Sequence, residues 1–202
     1  MNIYTIGLTG GIGCGKSSVL SFFSALGWKT VDADQICHDL YEDSDSGIME
    51  LLSSRWGASI LDKNRRISRK AVAEVVFNDE KELAWLNSVI HPEIYRIAGE
   101  ELEKFGGPAI FDVPLLFESG RRDFFNKIIT VWTCREIQFK RLKAAGMEEE
   151  QVRQRVRRQF SNDDKLEMAD YGIINNGTME YLNAQCLTLS NALKDELSKI
   201  SK

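Results

Sequence analysis

Apolar positions along the chain follow two spacings. Residues 3–8 (Ile-Tyr-Thr-Ile-Gly-Leu) make a short, partly β-branched run of the kind required by a strand buried on both faces. A glycine-dense turn follows, from Thr9 to Gly15. Val19, Phe22, Phe23 and Leu26 then stand at i, i+3, i+4 and i+7, which predicts a helix with one apolar face and a stop at Gly27. Trp28–Val31 predicts a second strand, closing at Asp32-Ala33-Asp34. Strand, turn, helix, strand is a βαβ unit, the crossover that parallel strands need.

Residues 35–104 predict mostly short helices and no central strand. Leu83, Leu86, Val89 and Ile90 keep helical spacing up to a predicted stop at His91-Pro92. Strand character returns at Ala109–Val113, Ile128–Thr133 and, more weakly, Tyr171–Ile174. Leu182, Cys186, Leu189, Leu193 and Leu197 predict a last helix whose stripe is core packing. The pattern as a whole predicts an α/β fold: a five-stranded parallel sheet flanked by helices, with a helical insertion between the second and third strands.

Composition narrows the class. Of 202 residues, 43 % are hydrophobic and 28 % charged, with three prolines and no low-complexity segment, so disordered and solenoid readings fail. The net charge of −4 argues against a nucleic-acid or membrane-surface binder, so an anionic substrate must be met by local cations. Residues 135–158 supply such a cluster, with eight Lys and Arg against four Glu, although a solvated helix face fits that run equally well. The first basic residue is Lys16, and no apolar run reaches the ~18 residues of a membrane span, so a cytoplasmic location is expected. Cys14, Cys37, Cys134 and Cys186 are scattered, with only His38 and His91 as further soft ligands. Reduced thiols and no cysteine-histidine metal site are therefore expected.

Gly10-Gly11-Ile12-Gly13-Cys14-Gly15-Lys16-Ser17 fits the phosphate-binding P-loop. Glycines let the backbone approach an anion closely, and the helix starting near Lys16 adds unpaired N–H groups and its positive dipole end. Lys16 can bridge the β- and γ-phosphates of ATP, and the Ser17 hydroxyl can ligate Mg²⁺. Gly11, Gly13, Cys14, Gly15, Lys16, Ser17 and Ser18 are the candidate nucleotide-binding residues. Asp32 and Asp34 close the second strand, where a carboxylate can orient an acceptor hydroxyl; a helix cap at Asp34 fits as well. Asp112 ends the third strand, a place for a carboxylate near magnesium or for a loop cap before Pro114.

These residues resemble the dephospho-coenzyme A kinase family. The resemblance runs through Gly7-Leu8-Thr9 into the P-loop, Val31-Asp32-Ala33-Asp34, Ile67-Ser68-Arg69, Ile90-His91-Pro92 and Val113-Pro114-Leu115-Leu116-Phe117-Glu118. It continues through Gln138, Arg141-Leu142, Gln159 and Ala169-Asp170-Tyr171 to Asn175-Asn176-Gly177. It implies a P-loop NTPase core at 1–34, 105–134 and 165–202, a helical coenzyme-A-binding insertion at 35–104 and a basic lid at 135–164. It also implies transfer of the ATP γ-phosphoryl group to the ribose 3′-hydroxyl of dephospho-coenzyme A with Mg²⁺. Asp34 is then the residue at that hydroxyl, with Asp32 supporting it or the magnesium, and with Thr9 and His91 on the acceptor side. Arg141 is the catalytic lid cation, and Asn176 lies by the adenine. Another small-molecule or nucleoside kinase, or a nucleotide-gated binding protein, shares the same core.

Two departures from the family stand out. Cys14 replaces the usual Ser or Ala; its thiol is either activated by the loop's positive field or simply fills a serine-sized space. The segment Lys143-Ala144-Ala145-Gly146 lacks a second lid arginine, which throws more of the charge onto Arg141, with Lys143 or an arginine among 153–158 as possible help.

Overall fold

The computed structural model describes residues 4–43, 46–77, 79–105, 107–120 and 122–200. Its sheet is built around β1 (Thr5–Thr9), every residue of which is buried. After the turn come α1 (Lys16–Ala25), β2 (Lys29–Asp32) and α2 (Ala33–Glu42). The helices α3 (Ile48–Trp56), α4 (Arg69–Val76) and α5 (Glu80–Phe105) precede β3 (Ala109–Asp112) and β4 (Lys127–Trp132). Then α6 (Arg135–Ala144), α7 (Glu149–Arg157) and α8 (Asn162–Met168) lead to β5 (Tyr171–Ile174) and α9 (Met179–Ile200).

Strand order is β2-β3-β1-β4-β5. β1 pairs in parallel with β3, Leu8 opposite Asp112, and with β4, Thr9 opposite Thr130. β5 pairs in parallel outside β4, Trp132 opposite Ile174. The chain leaves β1 between two strands reached later, so the turn after Thr9 lies at a topological switch point, where such sheets bind ligands. Beneath it, Val19 and Phe23 of α1 and Leu182, Cys186 and Leu193 of α9 bury one core with Ile6, Leu8, Ile110 and Ile129. Trp28 closes this core edge-on against Phe23 and donates from Nε1 to Ser190 Oγ at 2.8 Å.

Two compact units result, one of residues 1–31 and 105–202, the other of residues 32–104. In the second, Arg55 of α3 grips Glu82 of α5 through two bonds of 2.6 and 2.8 Å, and lies 4.4 Å over the Trp85 ring. Trp56 Nε1 donates to the same carboxylate at 2.7 Å.

Most predicted elements appear within a residue or two; the predicted start of the first strand at Ile3 lies outside the described residues. Two expectations are corrected. The helix predicted to stop at His91-Pro92 continues through Pro92 to Phe105. Leu86, Ile90, Ile94, Ala98 and Leu102 form one buried stripe across the proline, and burial of that stripe outweighs the ~3 kcal/mol that an interior proline costs. The second correction concerns the aspartates: α2 begins at Ala33, so Asp32 is its cap and Asp34 stands inside the first turn.

Candidate active site

The P-loop is shaped for an anion by its own backbone. Gly15 is the N-cap of α1 at φ 93, a left-handed conformation that suits glycine. No side chain caps the first turn of α1 and no acidic residue stands in it, so its N–H groups and positive dipole end are left for a ligand. Ser17 is exposed and Ser18 half-buried in that turn. Lys16 Nζ donates to the carbonyl of Gly10 at 3.3 Å, a single long bond to the loop itself.

Side-chain amides hold the rest of the loop. Gln159 Oε1 accepts from the N–H of Ile12 at 3.0 Å, and Gln138 Nε2 donates to the Ile12 carbonyl at 2.7 Å. Asn175 Nδ2 donates to the Cys14 carbonyl at 2.8 Å. Asn162 Nδ2 donates to the Thr133 carbonyl at 2.9 Å, while its Oδ1 accepts from Cys14 Sγ at 3.4 Å. The approach is close enough to demand glycine: a Cβ on Gly11 would fall 2.3 Å from Asn162 Oδ1. Gln138, Gln159 and Asn162 all belong to the stretch predicted as a lid.

Arg141, on α6, comes to the same loop. Its Nη2 donates to Asn175 Oδ1 at 3.2 Å, and its Nη1 is buried without a hydrogen-bond partner among the described residues. A Cβ on Gly15 would lie 3.9 Å from that Nη1, which places the guanidinium beside the start of α1. Two of the other cations proposed to help are committed elsewhere: Lys143 and Arg153 both bind Glu149, at 2.9 and 2.7 Å, holding its carboxyl near 2.

The exit of β3 is tied to the entry of the P-loop. Asp112 ends β3 beside Leu8, and the Pro114 carbonyl accepts from Thr9 Oγ1 at 3.2 Å and from Lys165 Nζ at 2.9 Å. Thr9, expected on the acceptor side, is wholly buried, and its hydroxyl makes this structural tie. Lys165 is wholly buried too and pairs with Glu118 at 2.9 Å. Burial pushes its ammonium below the usual lysine range, against the opposing pull of Glu118.

Of the remaining expected residues, Asp32 Oδ1 accepts from the Gln35 N–H at 3.0 Å, so its work is capping. Asp34 is exposed one residue into α2. His91 lies mid-helix in α5, edge-on to Tyr95 at 6.4 Å. Asn176 is exposed in the turn after β5, and its Oδ1 accepts from Thr133 Oγ1 and the Cys134 N–H at 2.8 and 3.0 Å. Cys14 is not activated: burial raises its thiol above the ordinary range, outweighing the lowering by Lys16. The sulfur fills space and meets Asn162, the plain alternative of the two. Among the described residues no cluster of three or more His, Cys, Asp or Glu could hold a metal. Mg²⁺ needs none, because it takes one or two protein oxygens and otherwise binds phosphate and water, and Ser17 with Asp112 is a donor set of that kind. No described helix is long and apolar enough to cross a membrane.

Sequence reasoning gave no role to Gln138, Gln159, Asn162, Glu118 or Lys165, and expected Asn175, with Asn176 and Gly177, by the adenine rather than against the P-loop. The one local signal that bears on them is Ser161-x-x-Asp164, a capping box that fixes the start of α8 and hence the positions of Asn162 and Lys165.

Comparison with known proteins converges on the same group. The family model "Dephospho-CoA kinase" matches residues 4–180. A dephospho-CoA kinase of Fusobacterium nucleatum is 40% identical over 184 residues, covering 90% of this chain and 94% of the relative. A solved structure from Thermus thermophilus, TT1252, superimposes with a TM-score of 0.79 at 30% identity, covering 98% of each chain. The dephospho-CoA kinase of Campylobacter jejuni superimposes at 0.67 and 27% identity, also covering 98% of each. The chain is a kinase and belongs to the dephospho-CoA kinase family.

Proposed function

We propose that the protein transfers the γ-phosphoryl group of ATP to the ribose 3′-hydroxyl of dephospho-coenzyme A, giving coenzyme A. Family membership supplies the acceptor. The observation that carries the chemistry is the half-buried guanidinium of Arg141, held by Asn175 beside Gly15, with its buried Nη1 lacking a hydrogen-bond partner among the described residues. A cation fixed in that way stabilises charge on a transferring phosphoryl group without first having to be ordered.

The remaining roles extend the same reading. The N–H groups from Gly13 to Ser18 bind the phosphates, and Lys16 exchanges its bond to Gly10 for the β- and γ-phosphates. Ser17, with Asp112, holds Mg²⁺, which supplies neutralisation of phosphate charge when bound. Asp34 orients the acceptor hydroxyl, while Asp32 keeps α2 capped beneath it in sequence. His91 belongs to the acceptor side, and the turn at Asn176 adjoins the adenine. We assign residues 35–104 to acceptor binding and 135–164 to a lid, whose α6 and 159–162 segments double as supports of the P-loop. A loose transition state makes this positioning and neutralisation matter more than proton abstraction.

The test is ADP formation with MgATP alone, with dephospho-coenzyme A, and with nucleosides or other small alcohols. Strong stimulation by dephospho-coenzyme A alone is expected, with the new phosphate on the 3′-oxygen. Stimulation by a nucleoside instead moves the protein to another kinase of the same core.

A further inference from the structure

Three side chains of the segment 159–165 reach three different walls of the phosphate site. Gln159 binds the Ile12 N–H, and Asn162 binds the Thr133 carbonyl and the Cys14 thiol. Lys165 binds the Pro114 carbonyl and Glu118. Glu118 returns the grip, because the same Oε1 accepts from the Phe160 N–H at 2.8 Å. One carboxylate therefore braces both ends of the turn that precedes and opens α8. Its other oxygen, Oε2, is buried without a hydrogen-bond partner among the described residues. A wholly buried ammonium facing a carboxylate is a poor way to gain stability, since desolvation of the two charges offsets their attraction. Such a pair fixes geometry instead: the Lys165 ammonium, bonded at both the Pro114 carbonyl and Glu118, links α8 to the β3 exit, and Thr9 ties the same carbonyl to the entry of the P-loop.

We propose that Lys165 and Glu118 are a positioning pair that sets the spacing between the P-loop and the β3 exit carrying Asp112, and so governs how the bound nucleotide takes its metal. Neither side chain touches substrate. The inference rests on the phosphotransferase reading above and adds to it a support for the magnesium-bearing half of the site. Its signature is a selective one: nucleotide binding without metal depends on the P-loop alone, whereas the gain in affinity that Mg²⁺ confers depends on both walls standing at the right distance.

The experiment compares wild type with Lys165→Met/Glu118→Gln, Glu118→Gln and Glu118→Ala. Calorimetry with ADP, with and without Mg²⁺ and without acceptor, is paired with kcat and KM for ATP. The double variant lacks a stranded buried charge, so it is expected to melt within a few degrees of wild type. It should bind metal-free ADP within threefold of wild type, yet lose at least tenfold both in the Mg²⁺-dependent gain and in kcat. Glu118→Gln, which keeps an acceptor for Lys165 and Phe160, should stay within threefold of wild type in both; Glu118→Ala should fall with the double variant. If the double variant does not fold, the contrast between the two single Glu118 variants decides. A Mg²⁺-dependent gain within twofold of wild type in the double variant or in Glu118→Ala overturns the proposal, as does equal loss in Glu118→Gln and Glu118→Ala. Failure of the wild type to turn over dephospho-coenzyme A, with its Mg²⁺-dependent gain intact, instead overturns the substrate reading alone.

Discussion

Asn175 donates from Nδ2 to the carbonyl oxygen of Cys14 at 2.8 Å, and a methyl group on the next residue, Gly15, would fall 2.2 Å from that same nitrogen. The loop and its support therefore have no room between them. Gly15→Ala is expected to weaken ADP binding by at least a hundredfold. It forces both this overlap and a left-handed φ of 93 on a side-chain-bearing residue, the latter alone costing about 1–2 kcal/mol. Removing the amide in Gly15→Ala/Asn175→Ala should not restore binding, because the backbone strain stays. Isothermal titration of both variants checks this.

Arg141→Ala should lower kcat by about 10²–10³, the usual effect of deleting one preorganised donor to a charged transition state. The melting temperature should change little, since among the described residues only one guanidinium bond, to Asn175, is lost. Lys143→Ala should keep kcat within twofold, because Lys143 pairs with Glu149 instead. A reversal of these two results would move the lid cation to Lys143.

The two aspartates after β2 should separate cleanly. Asp32→Ala removes the acceptor for the Gln35 N–H and is expected to cost about 1 kcal/mol of stability, read as a shift of the denaturation midpoint. Asp34→Asn should leave stability and ATP KM near wild type while kcat collapses. Loss of ATP affinity in Asp34→Asn would tie that residue to the metal.

Glu82 should make the 32–104 unit acid-sensitive. Bonds from Arg55 and Trp56 hold its carboxyl at about 2, below its ordinary value of 4.5. The folded unit therefore binds fewer protons than the unfolded chain between these values. The stabilisation is complete above about 4.5 and is lost as pH falls toward 2. Fluorescence melts reporting on Trp56 and Trp85 should show Glu82→Gln converging with wild type over that interval and falling below it at neutral pH.

Cys14 should resist alkylation. Its thiol is wholly buried and held above the ordinary range, so iodoacetamide at pH 7.5 should modify half-buried Cys134 well before Cys14, with or without ATP. Peptide mapping by mass spectrometry reads the order directly.

The sheet was legible in the sequence because a strand buried on both faces needs a continuous apolar run, and β1, β3 and β4 have one. The P-loop was legible because close anion approach restricts residue type so tightly. What stayed hidden depends on contacts between distant segments. Nothing local marks Lys165 as buried, since a lysine on a short polar helix is ordinarily solvated; only Glu118 and Pro114, some fifty residues away, make its burial tolerable. The continuation of α5 beyond Pro92 was hidden for a related reason. Proline is a local stop signal, and the buried stripe that overrides it matters only once the helix has a neighbour to pack against. At Asp32 and Asp34 the helix start was placed two residues late, which exchanged the cap for the carboxylate inside the first turn.

The shared core of α1 and α9 bears on how the protein is made. Val19 and Phe23 are synthesised long before their partners Leu182, Cys186 and Leu193. Residues 32–104 form a contiguous unit and can complete their own packing meanwhile. The P-loop and its helix thus wait as an amphipathic fragment through most of synthesis, with an exposed apolar face that invites chaperone contact. The face of α1 that backs the P-loop is completed only once α9 has been made.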